Sequence, residues 1–157
     1  MIIGTGVDVV NIERFAETLE RTPSLAQRVF VEHERAKPLR SLAARFAAKE
    51  AVAKALRAPE GMVWQHCWIE NTAAGVPRIV TTGTVAERAA QLGINRWHLS
   101  ITHDDPVAIA TVTAESLSET ELLRLHELDC EGFQIHAADS ASLELYFAQK
   151  NLPGGCP

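Results

Sequence analysis

Four charged residues, Arg45, Lys49, Glu50 and Lys54, interrupt a run from Ser41 to Leu56 that holds seven alanines and neither glycine nor proline. Such a run has high intrinsic helix propensity, and small side chains nearly all round imply close burial. Glu50 and Lys54 stand four apart and share a face, so an ordinary surface ion pair worth ~0.3 kcal/mol would account for them. Yet the remaining faces of this helix are apolar, and the charged stripe needs polar surroundings. A metal ion beside phosphate groups would satisfy both signs at once.

Asp8 is the one carboxylate in an otherwise β-branched and glycine stretch, Ile2 to Val10. On its own it reads as a strand-end acid favouring the positive end of the next helix. It shares a face with Gly4 and Gly6, however, which leave the backbone bare for close approach of a second element or a ligand. If the alanine-rich helix crosses this strand, Asp8 meets Glu50. Two hard oxygen ligands, completed by phosphate oxygens and water, are how magnesium is usually held.

A third cluster, Ser100, Thr102, His103 and Asp104, ends a later strand-like run. It fits a polar turn with an exposed imidazole; it also fits hydroxyls and an imidazole that contact phosphate or move a proton. Gly75-Val76-Pro77 carries less information, since any turn contains such residues.

The elements that must position these groups follow from periodicity. Ile2–Val10 is expected as a buried strand with Ile3, Thr5, Val7 and Val9 on one face and Gly4, Gly6 and Asp8 on the other. Asn11 caps a helix with Ile12, Phe15, Ala16 and Leu19 as its apolar face, ending before Thr22 and Pro23. A short helical stretch through Leu25, Val29 and Phe30 precedes Pro38, and the Ser41–Leu56 helix follows. Val63–Asn71 and Arg78–Thr82 read as a hairpin, Thr84–Leu92 as a helix stopped by Gly93, and Arg96–Thr102 with Val107–Thr113 as alternating strands. The main elements therefore run β, α, α, β, β, α, β, β without internal repeat. Beyond Glu115, Ser118–Leu128 and Ser140–Lys150 have the pattern of short amphipathic helices, so residues 1–115 are expected as the domain and 116–157 as an appendage. His126, Cys130 and His136 within it are spaced too loosely for a convincing metal site.

A chain of 157 residues supports one good core. With 46% hydrophobic and 22% charged residues it is a globular composition. The formal charge of -5 excludes a broad nucleic-acid-binding face, leaving only local anion sites. No apolar run reaches membrane-spanning length and the start lacks a basic signal region, so a cytoplasmic location without membrane association is expected. Cys67, Cys130 and Cys156 lack zinc or redox spacing and read as reduced thiols.

Gly6-Val7-Asp8, the helix run Arg45-Phe46-Ala47-Ala48-Lys49-Glu50-Ala51-Val52-Ala53-Lys54, Gly75-x-Pro77 and Ser100-Ile101-Thr102-His103 together resemble the holo-acyl-carrier-protein synthase family of 4'-phosphopantetheinyl transferases. They occur in the family's order and cover residues 1 to about 115. The resemblance implies an α+β fold, a long alanine-rich helix packed on a small antiparallel sheet, assembled as a homotrimer with active sites between subunits. It implies magnesium bound by Asp8 and Glu50, and coenzyme A bound by Arg45, Lys49, Lys54, Ser100, Thr102 and His103, with Gly75 and Pro77 reaching it across an interface. The reaction implied is transfer of phosphopantetheine from coenzyme A to a serine of apo acyl carrier protein, releasing adenosine 3',5'-bisphosphate, in fatty acid or polyketide synthesis. Glu50, Lys54, His103 and Asp104 are the candidates for the chemical step. The base is open between a water ordered by Glu50, His103 and Asp104.

Arg14, Arg21 and Arg28 correspond in position to family residues that dock an acidic carrier helix; local field rather than net charge would steer that encounter. The short stretch between Glu34 and Ser41 and the appendage depart from the family pattern. The alternative readings are a non-catalytic coenzyme A-binding trimerisation module, for which an intact acid pair has no use, and a larger phosphopantetheinyl transferase built as a tandem of two halves. A generic nucleotide phosphotransferase would need a glycine-rich phosphate loop that this chain lacks.

Overall fold

The structure, a computed structural model, describes residues 1–130, with side chains to residue 125. Strand β1 (Ile2–Asn11) leads into helix α1 (Ile12–Arg21), followed by α2 (Ser24–Val29), the single-turn α3 (Glu32–Arg35) and the long α4 (Leu39–Ala55). A 3-10 turn (Trp64–His66) opens the hairpin β2 (Cys67–Asn71) and β3 (Pro77–Thr81). Helix α5 (Gly83–Gln91), strands β4 (Arg96–Asp104) and β5 (Val107–Glu115), and α6 (Glu119–Cys130) complete it.

Two antiparallel sheets result, β1-β5-β4 and β2-β3. The first carries α4 on one face. Gly4 and Gly6 make that packing possible, because a Cβ at either would collide with the carbonyl oxygen of Ala55 or Ala51. Four residues of helix advance about 6 Å and two of strand about 6.6 Å, so the two small-residue rows stay in step. Ala108, Ala110, Val112 and Ala114 of β5 continue the buried surface beneath α4.

Among the described residues, only that face is covered. Val7 and Val9, expected inside, are each 54% exposed, since no element among the described residues lies over the opposite side of the sheet. On this open face the register aligns Val7, Thr111 and Ser100 in one row and Val9, Ile109 and Thr102 in the next.

Asn11 caps α1 as expected, its Oδ1 accepting from Arg14 N at 2.9 Å. Ser118 and Glu121 cap α6 reciprocally: Ser118 N donates to Glu121 Oε2 at 2.7 Å and Glu121 N to Ser118 Oγ at 3.3 Å. The start of the appendage is tied to the body, with Leu117 N donating to Asn95 Oδ1 at 2.8 Å and Leu122 buried. The expected Ser140–Lys150 helix and the side chains of His126, Cys130 and His136 lie outside what is described.

Candidate active site

Crossing of α4 over β1 brings Asp8, Glu50 and Lys54 together. Lys54 Nζ donates to Asp8 Oδ1 at 2.7 Å and to the Val7 carbonyl at 2.8 Å. Thus Lys54 pairs with Asp8 rather than with its helix neighbour Glu50. The Asp8 side chain is 18% exposed and that of Lys54 49%, so the carboxylate is the more deeply set of the pair. Burial, and next the negative charge of Asp8, push the Glu50 carboxyl above its ordinary range, with Lys54 pulling against them. Both acids line a cleft of 270 Å³ whose other walls include Arg14, Phe15, Leu25 and Phe46.

Among the described residues, no three or more His, Cys, Asp or Glu side chains converge as a ready-made metal cage. Asp8 and Glu50 are a pair, and their mutual repulsion is what a cation between them would relieve. This donor set suits magnesium, which binds through one or two carboxylates and takes its other oxygens from phosphate and water.

Arg45 and Lys49, expected to bind coenzyme A, turn away from the Asp8–Glu50 pair of their own chain. Lys49 is fully buried and pairs with Glu34 Oε2 at 2.9 Å, while donating to the carbonyls of Val29 at 2.8 Å and Cys67 at 2.5 Å. Its assignment to coenzyme A phosphates is corrected accordingly: an ammonium with every donor engaged in the core cannot reach a ligand in the cleft. Positions 45 and 49 lie on a helix face turned well away from 50 and 54, toward β2. Arg45 is 8% exposed; its Nη2 donates to Asn71 Oδ1 at 2.8 Å and its Nε stands 4.0 Å from Glu34 Oε1. Burial lowers the Arg45 pKa, opposed by Glu34.

Glu34 escaped sequence reasoning. It is fully buried and also accepts from Ile69 N at 3.0 Å and Val31 N at 3.3 Å. Residing in a four-residue helix, it belongs to no periodic pattern; the only signal was two unexplained cations on the neighbouring helix. The same burial pushes the Cys67 thiol up to about 12, which fits the inert thiol expected there.

Ser100 and Thr102 stand on the open face of the sheet, opposite the face that carries Asp8. One chain alone therefore does not bring them to the acid pair. His103, paired with Ala108, falls on the α4 side, and with Asp104 it is exposed at the end of β4. Their turn is fastened at two points: Ile12 N donates to the Pro106 carbonyl at 2.8 Å, and Arg40 at the start of α4 pairs with Asp105. Gly75 lies in the β2–β3 turn at φ 82°, and Pro77 opens β3. Arg14, Arg21 and Arg28 are all exposed on α1 and α2, and of these Arg14 borders the cleft. A second cleft of 430 Å³, lined by Glu60, Met62, Glu87 and Arg88 among others, contains none of these residues.

Residues 4–112 match the model of the 4'-phosphopantetheinyl transferase superfamily. The holo-[acyl-carrier-protein] synthase of Kocuria rhizophila is 58% identical over 116 residues, covering 74% of this chain and 94% of the relative. Among solved structures, the holo-[acyl-carrier-protein] synthase of Neisseria meningitidis is 30% identical with a TM-score of 0.66, over 74% of this chain and 100% of that one. That of Helicobacter pylori, in complex with coenzyme A, is 27% identical with a TM-score of 0.63, over 71% and 99%. By sequence and by fold, the chain belongs to the 4'-phosphopantetheinyl transferase superfamily, within its holo-[acyl-carrier-protein] synthase family.

Proposed function

We propose that this enzyme transfers the 4'-phosphopantetheine arm of coenzyme A to a serine of apo acyl carrier protein, with magnesium held by Asp8 and Glu50. The observation that carries this reading is the crossing of α4 over β1, where Glu50 and Asp8 line one cleft and Lys54 Nζ bonds Asp8 Oδ1 at 2.7 Å. A lysine and two carboxylates there can bind a pyrophosphate and its counter-ion together. Bound magnesium would supply charge neutralisation for the phosphates and for the oxygen that leaves.

The chain's own groups do the remainder. Lys54, half exposed and bonded to Asp8 and the Val7 carbonyl, keeps a third donor for a phosphate oxygen and stabilises charge as it develops. Phe15, Leu25 and Phe46 give the cleft an apolar wall that excludes water from the side where the carrier serine approaches. Arg14 at its border, with Arg21 and Arg28 beyond, supplies positive charge for an acidic carrier. Proton removal from the serine falls to a group near the phosphate, with Glu50 through a water, His103 and Asp104 as the candidates.

A homotrimer follows from the same reading. The open sheet face presents Val7 and Val9 beside Ser100 and Thr102, an apolar and hydroxyl surface suited to a second copy. Burying it would let the β4 groups and the Gly75–Pro77 turn of one subunit serve the acid pair of another. Residues 1–115 form the catalytic domain in this reading, with α6 as an addition to its edge. No described helix is long and apolar enough to cross a membrane, in keeping with a cytoplasmic enzyme acting on carriers of fatty acid or polyketide synthesis.

Asp8→Ala and Glu50→Ala test it directly. Each is expected to lower carrier conversion by at least about 100-fold, the scale of losing a principal electrostatic group, while circular dichroism stays unchanged. Near-normal conversion in either would refute the metal assignment.

A further inference from the structure

The β2–β3 turn has little to hold it in place. Ala73, Ala74 and Gly75 are exposed, and nothing lies within 4 Å of where a Gly75 Cβ would be. Its internal bonds close the turn on itself: Gly75 N donates to the Thr72 carbonyl at 2.8 Å, Thr72 N to that of Val76 at 2.9 Å, and Val76 N to Thr72 Oγ1 at 3.1 Å. These bonds shape the loop without fixing where it sits against the body.

Asn71 supplies that fixing. Its Oδ1 accepts from Arg45 Nη2 at 2.8 Å, and its Nδ2 donates to the Gly75 carbonyl at 3.0 Å. An amide suits this position because it accepts on one side and donates on the other; of its two orientations only one serves both neighbours. Among the described residues, no other side chain of α4 hydrogen-bonds to residues 71–77. Arg45 is itself anchored, its Nη1 donating to the Ser41 carbonyl at 3.4 Å with Glu34 beside it. A hydrogen-bonded path therefore runs from the Ser41 carbonyl through Arg45 and Asn71 to the turn, with Glu34 Oε1 4.0 Å from Arg45 Nε.

We propose that Asn71 is a positioning residue that locks the Gly75–Pro77 turn and the Arg45 guanidinium into one rigid coenzyme A-recognition unit. This rests on the reading that the turn and Arg45 serve the nucleotide. Asn71 acts on affinity for coenzyme A rather than on the chemical step, because Asp8, Glu50 and Lys54 are held by β1 and α4 independently of the hairpin turn.

Two variants separate its two bonds. Asn71→Ala removes both, whereas Asn71→Asp keeps an acceptor for Arg45 and loses the donor to Gly75. Asn71→Asp is expected to raise KM for coenzyme A about fivefold, the effect of one lost hydrogen bond, and Asn71→Ala to raise it further. With them, kcat, KM for the carrier and the thermal midpoint should stay unchanged, and calorimetric affinity for coenzyme A should fall in parallel. An unchanged KM in Asn71→Ala, wild-type behaviour in Asn71→Asp, or a fall of kcat together with thermal stability would overturn the assignment. Calorimetry keeps the test apart from the transfer reading: wild-type protein that binds coenzyme A but modifies no carrier would refute the transfer, and Asn71 would still be judged by affinity.

Discussion

Glu50 carries its charge in surroundings that resist it. Burial first and Asp8 second raise its folded-state pKa above that of the unfolded chain. The stability linked to a raised carboxyl is fully present below the unfolded pKa and is lost as pH rises through the folded one. Glu50→Gln is therefore expected to melt higher than wild type near pH 8 in chelator, with the difference vanishing toward pH 4, and to lose turnover throughout. A lower midpoint for the variant at pH 8 would contradict this picture of a strained acid. The same logic makes metal affinity fall on acidification, since the cation needs Glu50 ionised. Asp8, Glu50 and Lys54 were legible in the sequence because glycines beside Asp8 and helical spacing of the cations left a polar stripe without an apolar explanation. Lys49 was misread because adjacent positions on a helix look in different directions, and its partner Glu34 gives no periodic signal.

At the scale of elements, α4 is positioned by two opposite devices. Against β1 it relies on absent side chains, Gly4 and Gly6 meeting Ala55 and Ala51. Against the hairpin and α3 it relies on buried charge, Lys49 and Arg45 around Glu34. Glu34→Ala would strand a buried ammonium, a change that costs about 3–5 kcal/mol. Its expected signature is a large drop in the denaturation midpoint; a drop within error of wild type would show that Lys49 finds another partner. The sequence marked α1, α4, α5 and every strand, since each has a cap, a breaker or a period long enough to read. It did not mark α3, a single turn, nor the 3-10 turn that shortens the first hairpin strand to Cys67–Asn71.

Over the whole molecule, the candidate site residues are divided. The acid pair belongs to the covered face of the sheet, Ser100 and Thr102 to the open face, and Arg45 with the Gly75 turn to the hairpin side. The proposed trimer joins these parts, and its surface is legible only once the fold shows Val7 and Val9 exposed, with no described element above them; in the bare sequence they read as core. Val9→Asp should therefore dissociate the assembly in sedimentation and reduce turnover at least about tenfold, as expected when buried charge disrupts an apolar contact. An unchanged mass and rate would place the interface elsewhere.

The most direct test of the transfer itself is the intact mass of apo acyl carrier protein after incubation with this enzyme, coenzyme A and magnesium, with and without chelator. A gain of about 340 Da, the arm attached through serine, that disappears with chelator is the predicted result. No gain on any of a panel of fatty acid and polyketide carriers, with coenzyme A still bound, would contradict it and mark the chain as a coenzyme A-binding module that has lost the reaction.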